Sequence, residues 1–547
     1  MASGLLLAGA GHAQLSNWKL GGSGLPWTGQ DTASVLIDFA SAPGAIQPVY
    51  IPPDVNILSL LDDWSFLRQP RELGYVDGER PRVWKWNEGN GDPTENGVAL
   101  IDGDSTTYNS SKAEGVEKQF FTIDLAVPVP AHIFGFHAPS GGFRADGTLL
   151  RKDSTPAFQV SMQQENSEIF AVKGALPLEQ VIAEVTENFD PDVRIQFPRQ
   201  YVRFFRWARK LSLIDEEALT RNTSGGGQGN QALSLKGTIS EFEVYGEGVP
   251  RRALYKTKIT PLGQEQNFGR LFFAAAPMRR VGGQVMAVPD AQAGVQIEAR
   301  TGRDEDPNVY REYTVTGKEK VVSRQRYEDE LRQGFERTCA SCDFVQRSPR
   351  PGLRAPIGYD AENWTFWSTP ITQSGQPLNL SSGSYLQLKI TLNSSSFFDF
   401  VRLDSVWIEQ APLLAERVIG EVAPLEDPQP ARGVAAVSLG RMIDFAYDLR
   451  ASFSGQAGFD GVRIRTGSRP RFRYLEVGGV PSEPRQVREE ADGLTVFLPE
   501  RLSADNNAPL RIVFGAELFE LATTFLGEAI SSQTQTLPQP VVEGNAS

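Results

Sequence analysis

The stretch SYLQLKITL, Ser384–Leu392, decides the fold class. Its apolar residues fall on every second position: Leu386, Leu388, Ile390 and Leu392 share one face, while Tyr385, Gln387, Lys389 and Thr391 share the other. A period of two belongs to a pleated strand, because a helix returns its apolar face every three or four residues. One apolar face and one polar face describe a half-buried antiparallel strand. The alternation recurs in EFEVYG (Phe242, Val244), GVQIEAR (Val295, Ile297, Ala299), GVRIRTG (Val462, Ile464) and GLTVFLP (Leu494, Val496, Leu498). Glycine- and proline-bearing turns separate these segments, the pattern of β-sandwiches. The chain therefore reads as all-β and multi-domain.

Composition agrees with this reading and narrows the function. A chain of 547 residues is too long for one core, and length alone suggests about three or four domains. The 52 glycines, 36 prolines and 31 phenylalanines suit strands and turns better than long helices. A formal charge of −13 disfavours a nucleic-acid partner, whose phosphates need a basic surface, and leaves cation binding open. No apolar run reaches membrane-spanning length. With three histidines, no Gly-x-Ser-x-Gly elbow and no His-Glu-x-x-His pair, no catalytic constellation is visible. The expectation is a protein that is not an enzyme. Paired carboxylates of the glycosidase kind remain open, since acids distant in sequence can converge in space.

Residues 1–13 (with Leu5, Leu6, Leu7 and Ala8, then small residues up to Ala13) read as the remnant of a secretory leader, which predicts a secreted, periplasmic or cell-surface protein. Residues 14–89 form an N-terminal segment whose strands join a neighbouring sandwich. Residues 90–250 are one module. Residues 251–410 are a second sandwich, with a charge-dense helical insertion at 317–345. Residues 411–432, which hold four prolines, read as a linker. A third sandwich of immunoglobulin or jelly-roll size covers 433–535, and a polar tail covers 536–547. ALPLEQVIAEV (Ala175–Val185) fits a helix or a strand, with strand preferred.

Function turns on ALIDGDSTTYNSS, Ala99–Ser111, which places two aspartates and several hydroxyls between apolar strands. Two readings are open. The aspartates cap a turn through nearby backbone amides, or the loop holds a hard cation. EKQFFTIDL, then YVRFFRW and finally ISEFEVYGEG follow it. An Asp-Gly-Asp-x-x-Thr turn, a strand ending in Ile-Asp-Leu, Tyr-Val-Arg and a closing Glu-Phe-Glu-Val-Tyr-Gly, in that order, resemble the discoidin (coagulation factor 5/8 type C) family. More broadly they resemble the galactose-binding-like jelly roll. The likeness covers about residues 90–248. It implies an eight-stranded sandwich that binds carbohydrate or another surface ligand through its loops. It also implies a structural Ca2+ held by Asp102, Asp104, Thr107 and Glu241. Calcium takes six to eight oxygen ligands, which carboxylates and turn carbonyls supply. Relatives usually carry Trp just after the Thr; here Tyr108 and Asn109 follow.

Sugar binding needs aromatic faces and planar polar groups. RVWKWNEG offers Arg82, Trp84 and Trp86, and SGGFRADGTLLR offers Phe143, Arg144 and Arg151. Trp84 and Trp86 share one strand face, which is more often core than platform. TSGGGQGNQ (Thr223–Gln231) lacks the Lys-Ser/Thr ending of a phosphate loop and reads as a hairpin. In the second sandwich, ENWTFWSTP resembles secreted bacterial surface modules without implying an activity. Its Trp364 and Trp367 are expected on opposite faces. Asp304, Glu305 and Asp306 form a weaker cation candidate. Cys339 and Cys342 suit a local disulfide or two free thiols, because zinc needs two further ligands. The expected function is an exported, non-catalytic protein that recognises a glycan or other surface ligand. The alternatives are a carbohydrate-active enzyme with accessory modules and a purely structural surface or assembly protein.

Overall fold

The protein's structure, a computed structural model, describes residues 15–60, 83–86, 93–96, 100–108, 120–144, 147–165, 176–213, 237–332, 335–337, 344–346, 349–430, 434–520 and 523–546, with 83–86, 93–96, 126, 335–337 and 344–346 as backbone alone. Residues 1–13, expected to be a leader, and Thr223–Gln231, expected to be a hairpin, lie outside the described residues, as do Arg82, Cys339, Cys342 and the side chains of Trp84 and Trp86. The fold is all-β and made of several sandwiches, each built from largely antiparallel sheets around an apolar core. No helix among the described residues is long and apolar enough to cross a membrane.

The jelly roll is organised by one long antiparallel pair, a hairpin in space whose two strands are separated in sequence by two others. The strand Phe120–His137 pairs antiparallel with Asp192–Arg209, and register shifts interrupt the ladder between Gln196 and Gln200 and between Val202 and Phe204. Phe134 lies opposite Ile195, and Phe205 follows ten positions further along the same strand. Ten residues of straight strand would span about 33 Å. Instead the rings of Phe134 and Phe205 meet with centroids 5.1 Å apart. The hairpin is thus folded over on itself, and its two halves become facing sheets. Pro128, Pro130 and Pro198 sit at the fold, where a residue without an N–H loses no ladder bond. Phe136 closes the same core against Phe158 and Trp207, and Phe242 joins it from the strand Glu241–Tyr245. Val83–Trp86 pairs the first half of the Phe120–His137 strand, and Phe158–Gln163 and Gln180–Val185 extend the second half of its partner.

The second sandwich is centred on Gly383–Ser394, the strand containing the opening stretch. Leu386, Leu388, Ile390 and Leu392 are all buried in its core. The opposite face is less open than the alternation suggests. Gln387 and Thr391 are buried too, with Gln387 accepting from Arg300 and donating to the Thr257 carbonyl. The strands Ser16–Gly21 and Asp31–Val35 belong to this sheet, pairing Asp399–Pro412 and Arg252–Thr257.

Three expectations change. The 317–345 segment, expected to be helical, contains the strand Glu319–Val321, a short helix Arg324–Asp329 and the strand Phe335–Arg337. Ser323 caps that helix, and Tyr327 is its one buried residue. The linker expected at 411–432 is mostly structured, since Arg417–Pro424 pairs Met442–Ser452 inside the third sandwich. Its prolines misled because only Pro424 falls in the strand, at its last position. The polar tail also packs: Gln539–Pro540 pairs Leu526–Ile530, and Val542–Glu543 runs parallel to Arg417–Pro424. Ala175–Val185 provides the strand Gln180–Val185.

Because Phe205 is fully buried at the hairpin fold, Phe205→Ala is expected to destabilise the jelly roll by about 3–5 kcal/mol. Urea denaturation checks this. A loss below 1 kcal/mol, on the order of a surface change, would contradict the folded-hairpin core.

Candidate functional site

Folding the hairpin back brings both of its ends to one end of the sandwich. The loops after Ile101, after His137 and before Asp192 therefore gather with the start of the Glu241–Tyr245 strand. The acidic turn is built from its own side chains. Asp102 Oδ1 accepts from the Asp104 N–H at 2.9 Å, Asp104 Oδ1 accepts from the Thr106 N–H at 2.9 Å, and the Thr107 hydroxyl donates to Asp102 Oδ2 at 2.9 Å. Gly103 takes φ +78° between the two aspartates, a backbone state that side chains resist.

The turn is joined to the closing strand, since the Gly103 N–H donates to Glu241 Oε1 at 3.2 Å. The other oxygen of Glu241, Oε2, is buried without a hydrogen-bond partner. Burial first, then the nearby Asp102 and Glu243 charges, push the Glu241 carboxyl up to about 7, against the Gly103 hydrogen bond. Two carboxylates, a threonine hydroxyl and turn carbonyls make a hard-oxygen set of the kind calcium accepts. Among the described residues no three His, Cys, Asp or Glu side chains converge to hold a metal. A cation at this turn would therefore draw on backbone carbonyls and water for most of its ligands.

Beside the turn lies a chain of charges that the sequence did not reveal. Register places His137 directly between Asp192 and Glu241. His137 Nδ1 is 2.8 Å from Asp192 Oδ1, and Nε2 is 2.9 Å from Glu243 Oε2. Arg151 clamps Asp192 with both terminal guanidinium nitrogens, and its Nη1 reaches the Ala138 carbonyl at 3.3 Å. Glu243 and then Asp192 hold the His137 imidazole above its usual value despite partial burial. Arg151 does the most to keep the Asp192 carboxyl low. The available signal was a histidine at a strand end and the alternating glutamates of EFEVYG, which only pairing brings together.

The predicted ligand residues separate into two kinds. Phe143 is 68% exposed, on a small hairpin where it bridges Leu149. Arg144 points inward rather than to a ligand. Its Nη1 lies 2.6 Å from Oδ1 of buried Asp153, whose second oxygen accepts from Thr238 Oγ1 at 2.9 Å. The pair pins the hairpin to the body of the sandwich and so fixes Phe143 in the open. Ser140 ties this loop to the acidic turn, donating its N–H to the Ser105 carbonyl at 2.9 Å. Tyr108 and Phe189 are further exposed rings on loops of this end.

Elsewhere, Asp304 and Asp306 are used internally. Asp304 Oδ1 accepts from Trp364 Nε1 at 2.8 Å and Asp306 Oδ2 from the Tyr310 hydroxyl at 2.8 Å. Trp364 is core, while Trp367 lies over Arg300 and Lys389.

No family model matches the chain, and no curated protein is similar to it. Among solved structures, a CBM32 domain of a family 31 glycoside hydrolase from Clostridium perfringens is similar at 13% identity, over 30% of this chain and 88% of that one, with a TM-score of 0.18. The paired CBM32 domains of ZmpB from the same organism, solved in complex with GalNAc, are similar at 10% identity over 60% of this chain and 88% of that one, with a TM-score of 0.18. A longer ZmpB structure that includes the catalytic domain is similar at 8% identity and a TM-score of 0.19, over 80% of this chain, which spans 56% of its length. Similarity at these TM-scores assigns neither activity nor ligand to this chain.

A buried acid raised to about 7 holds its proton more tightly in the folded than in the unfolded chain. That contribution is complete below the ordinary value of 4.5 and is lost as pH rises through about 7. In chelator, Glu241→Gln is expected to raise the thermal midpoint at about pH 8 and to leave it unchanged at about pH 4. Equal midpoints at the higher pH would contradict a charged, uncompensated Glu241.

Proposed function

We propose that this is an exported, non-catalytic recognition protein whose jelly-roll loops bind carbohydrate. The carrying observation is Phe143, held open by the Arg144–Asp153 pair beside the Arg151–Asp192–His137–Glu243 chain. An exposed ring covers the apolar face of a pyranose. The adjoining guanidinium, imidazole and carboxylates offer donors and acceptors in fixed directions to sugar hydroxyls. Each of those charges already has a partner, so the network is stiff before a ligand arrives, and little ordering entropy is lost on binding. Export accords with the leader-like residues that precede Gln14.

Within this reading a calcium ion is structural. Asp102, Thr107 and Glu241 would hold it with turn carbonyls, Asp104 shaping the turn, and its charge would satisfy the Glu241 oxygen that lacks a partner. The ion would fix the loop and perform no chemistry.

The full chain on a glycan array, in calcium and in chelator, tests the binding. At least one glycan class should be retained, and Phe143→Ala should weaken it about tenfold or more, roughly 1.4 kcal/mol, without changing the melting curve. Binding to no glycan in either condition would leave the jelly roll a structural module. For the metal, Glu241→Ala should lower the thermal midpoint more in calcium than in chelator. An equal drop in both removes the ion from the account.

A further inference from the structure

The second sandwich carries a pocket on its outer face that lies apart from the jelly-roll loops. The strand Ser16–Gly21 pairs Asp399–Pro412, which pairs Thr260–Val281. Register sets Lys19 opposite Trp407 and Trp407 opposite Phe272. Trp18, Leu20, Val406 and Ile408 point into the core, so Asn17, Lys19, Ser405 and Trp407 face outward. The rings of Phe272 and Trp407 stack, 7° from parallel with centroids 5.5 Å apart. Between the indole and the Ser16–Gly21 strand lies a pocket of about 330 Å³, lined by Asn17, Lys19, Gly21, Ser23, Ser405 and Trp407. Phe272 stands on the far side of the Asp399–Pro412 strand and holds the indole in place.

The rim is a glycine-dependent turn. Gly21 donates its N–H to the Leu25 carbonyl at 2.7 Å, and Leu25 donates to the Lys19 carbonyl at 3.0 Å. Gly21 has φ +73° and Gly22 φ +59°. A Cβ on Gly21 would stand 2.5 Å from Trp27 Nε1 and the Asp404 carbonyl. No other residue permits this turn, and the turn is what sets Ser23 at the pocket edge.

The chemistry of the lining is specific. It comprises an aromatic wall, a primary amide, two hydroxyls and an ammonium group. Lys19 has no ion-pair partner among the described residues. Of the acids on the neighbouring strand, Glu409, opposite Asn17, accepts from the Arg270 N–H at 3.0 Å, and Asp404 pairs with Arg402 at 3.0 Å. An indole face suits the C–H face of a pyranose, and the amide and hydroxyls suit its hydroxyls. An ammonium group without an ion-pair partner offers a carboxylate a charge-assisted hydrogen bond. The volume falls at the small end of ligand sites, which run from roughly 300 Å³. We propose that this pocket is a second saccharide site, distinct from the jelly-roll loops, which takes a short acidic sugar with Lys19 against its uronic carboxylate.

In isothermal titration of the full chain, Phe143→Ala weakens the first site, and the Lys19 and Asn17 changes made in that background assign the remaining binding to this pocket. Oligogalacturonate should bind saturably in the micromolar to millimolar range, and neutral galacto-oligosaccharide at least tenfold more weakly. Raising the salt should weaken the first and spare the second. Lys19→Gln, a change at an exposed position, should cost oligogalacturonate fivefold or more without lowering the thermal midpoint. Asn17→Ala should weaken both sugars, and Trp407→Ala should abolish binding. If Trp407→Ala unfolds the sandwich, the Lys19 and Asn17 variants decide. Absence of binding, equal affinity for the two sugars, or indifference to both Lys19→Gln and Asn17→Ala overturns the proposal.

Discussion

The contact of Phe134 with Phe205 is the constraint on which the jelly roll depends. Both rings are buried, and they come from opposite halves of one hairpin. Burying an aromatic ring removes about 150–250 Å² from water, and several rings do so together here. Folding the hairpin interrupts its ladder at two register shifts. The prolines at the fold reduce the number of amides left to satisfy. Apolar burial therefore wins over the lost hydrogen bonds, and a flat ribbon is replaced by two facing sheets.

Everything at the loop end follows from that fold. The strand ends at His137 and Arg209 would otherwise lie at opposite tips of a long ribbon. Brought together, they set the acidic turn, the Phe143 hairpin and the Arg151–Asp192–His137–Glu243 chain side by side. The cluster sets paired charges beside an unmatched one. Arg144, Arg151, Asp153 and Asp192 are paired, whereas Glu241 is buried with one oxygen unmatched. A buried carboxylate oxygen left unmatched beside such pairs marks a place where stability yields to another requirement.

The fold is also where the jelly roll meets the second sandwich. Tyr201 lies opposite Pro130 at the bend; its hydroxyl donates to the Ser396 carbonyl at 2.9 Å and its ring rests on Phe397 at 4.9 Å. Val249 donates its N–H to the Phe397 carbonyl at 2.8 Å. The same turn of the second sandwich thus receives the bend and the exit of the jelly roll. The two candidate sites differ in kind. One is assembled from loops whose positions depend on the hairpin fold. The other is written directly on a sheet face, where side chains two residues apart already stand in line.

By itself the sequence determined the fold class, because period-two alternation in SYLQLKITL and its counterparts admits only strands. It also located the acidic turn and its distant glutamate, since ordered motifs survive without knowledge of pairing. It did not determine the linker or the tail, whose prolines and polar residues are compatible with edge strands once a neighbouring strand supplies hydrogen bonds. Tertiary structure alone decided the roles of Arg144, His137 and Trp407. Arg144 and Phe143 are adjacent in sequence, and only the buried Asp153 sends one inward and leaves the other in the open. His137 and Trp407 gain their partners from strands far along the chain. A side chain's periodicity is local, but its neighbours across a sheet are set by register, and register is fixed only when whole cores pack.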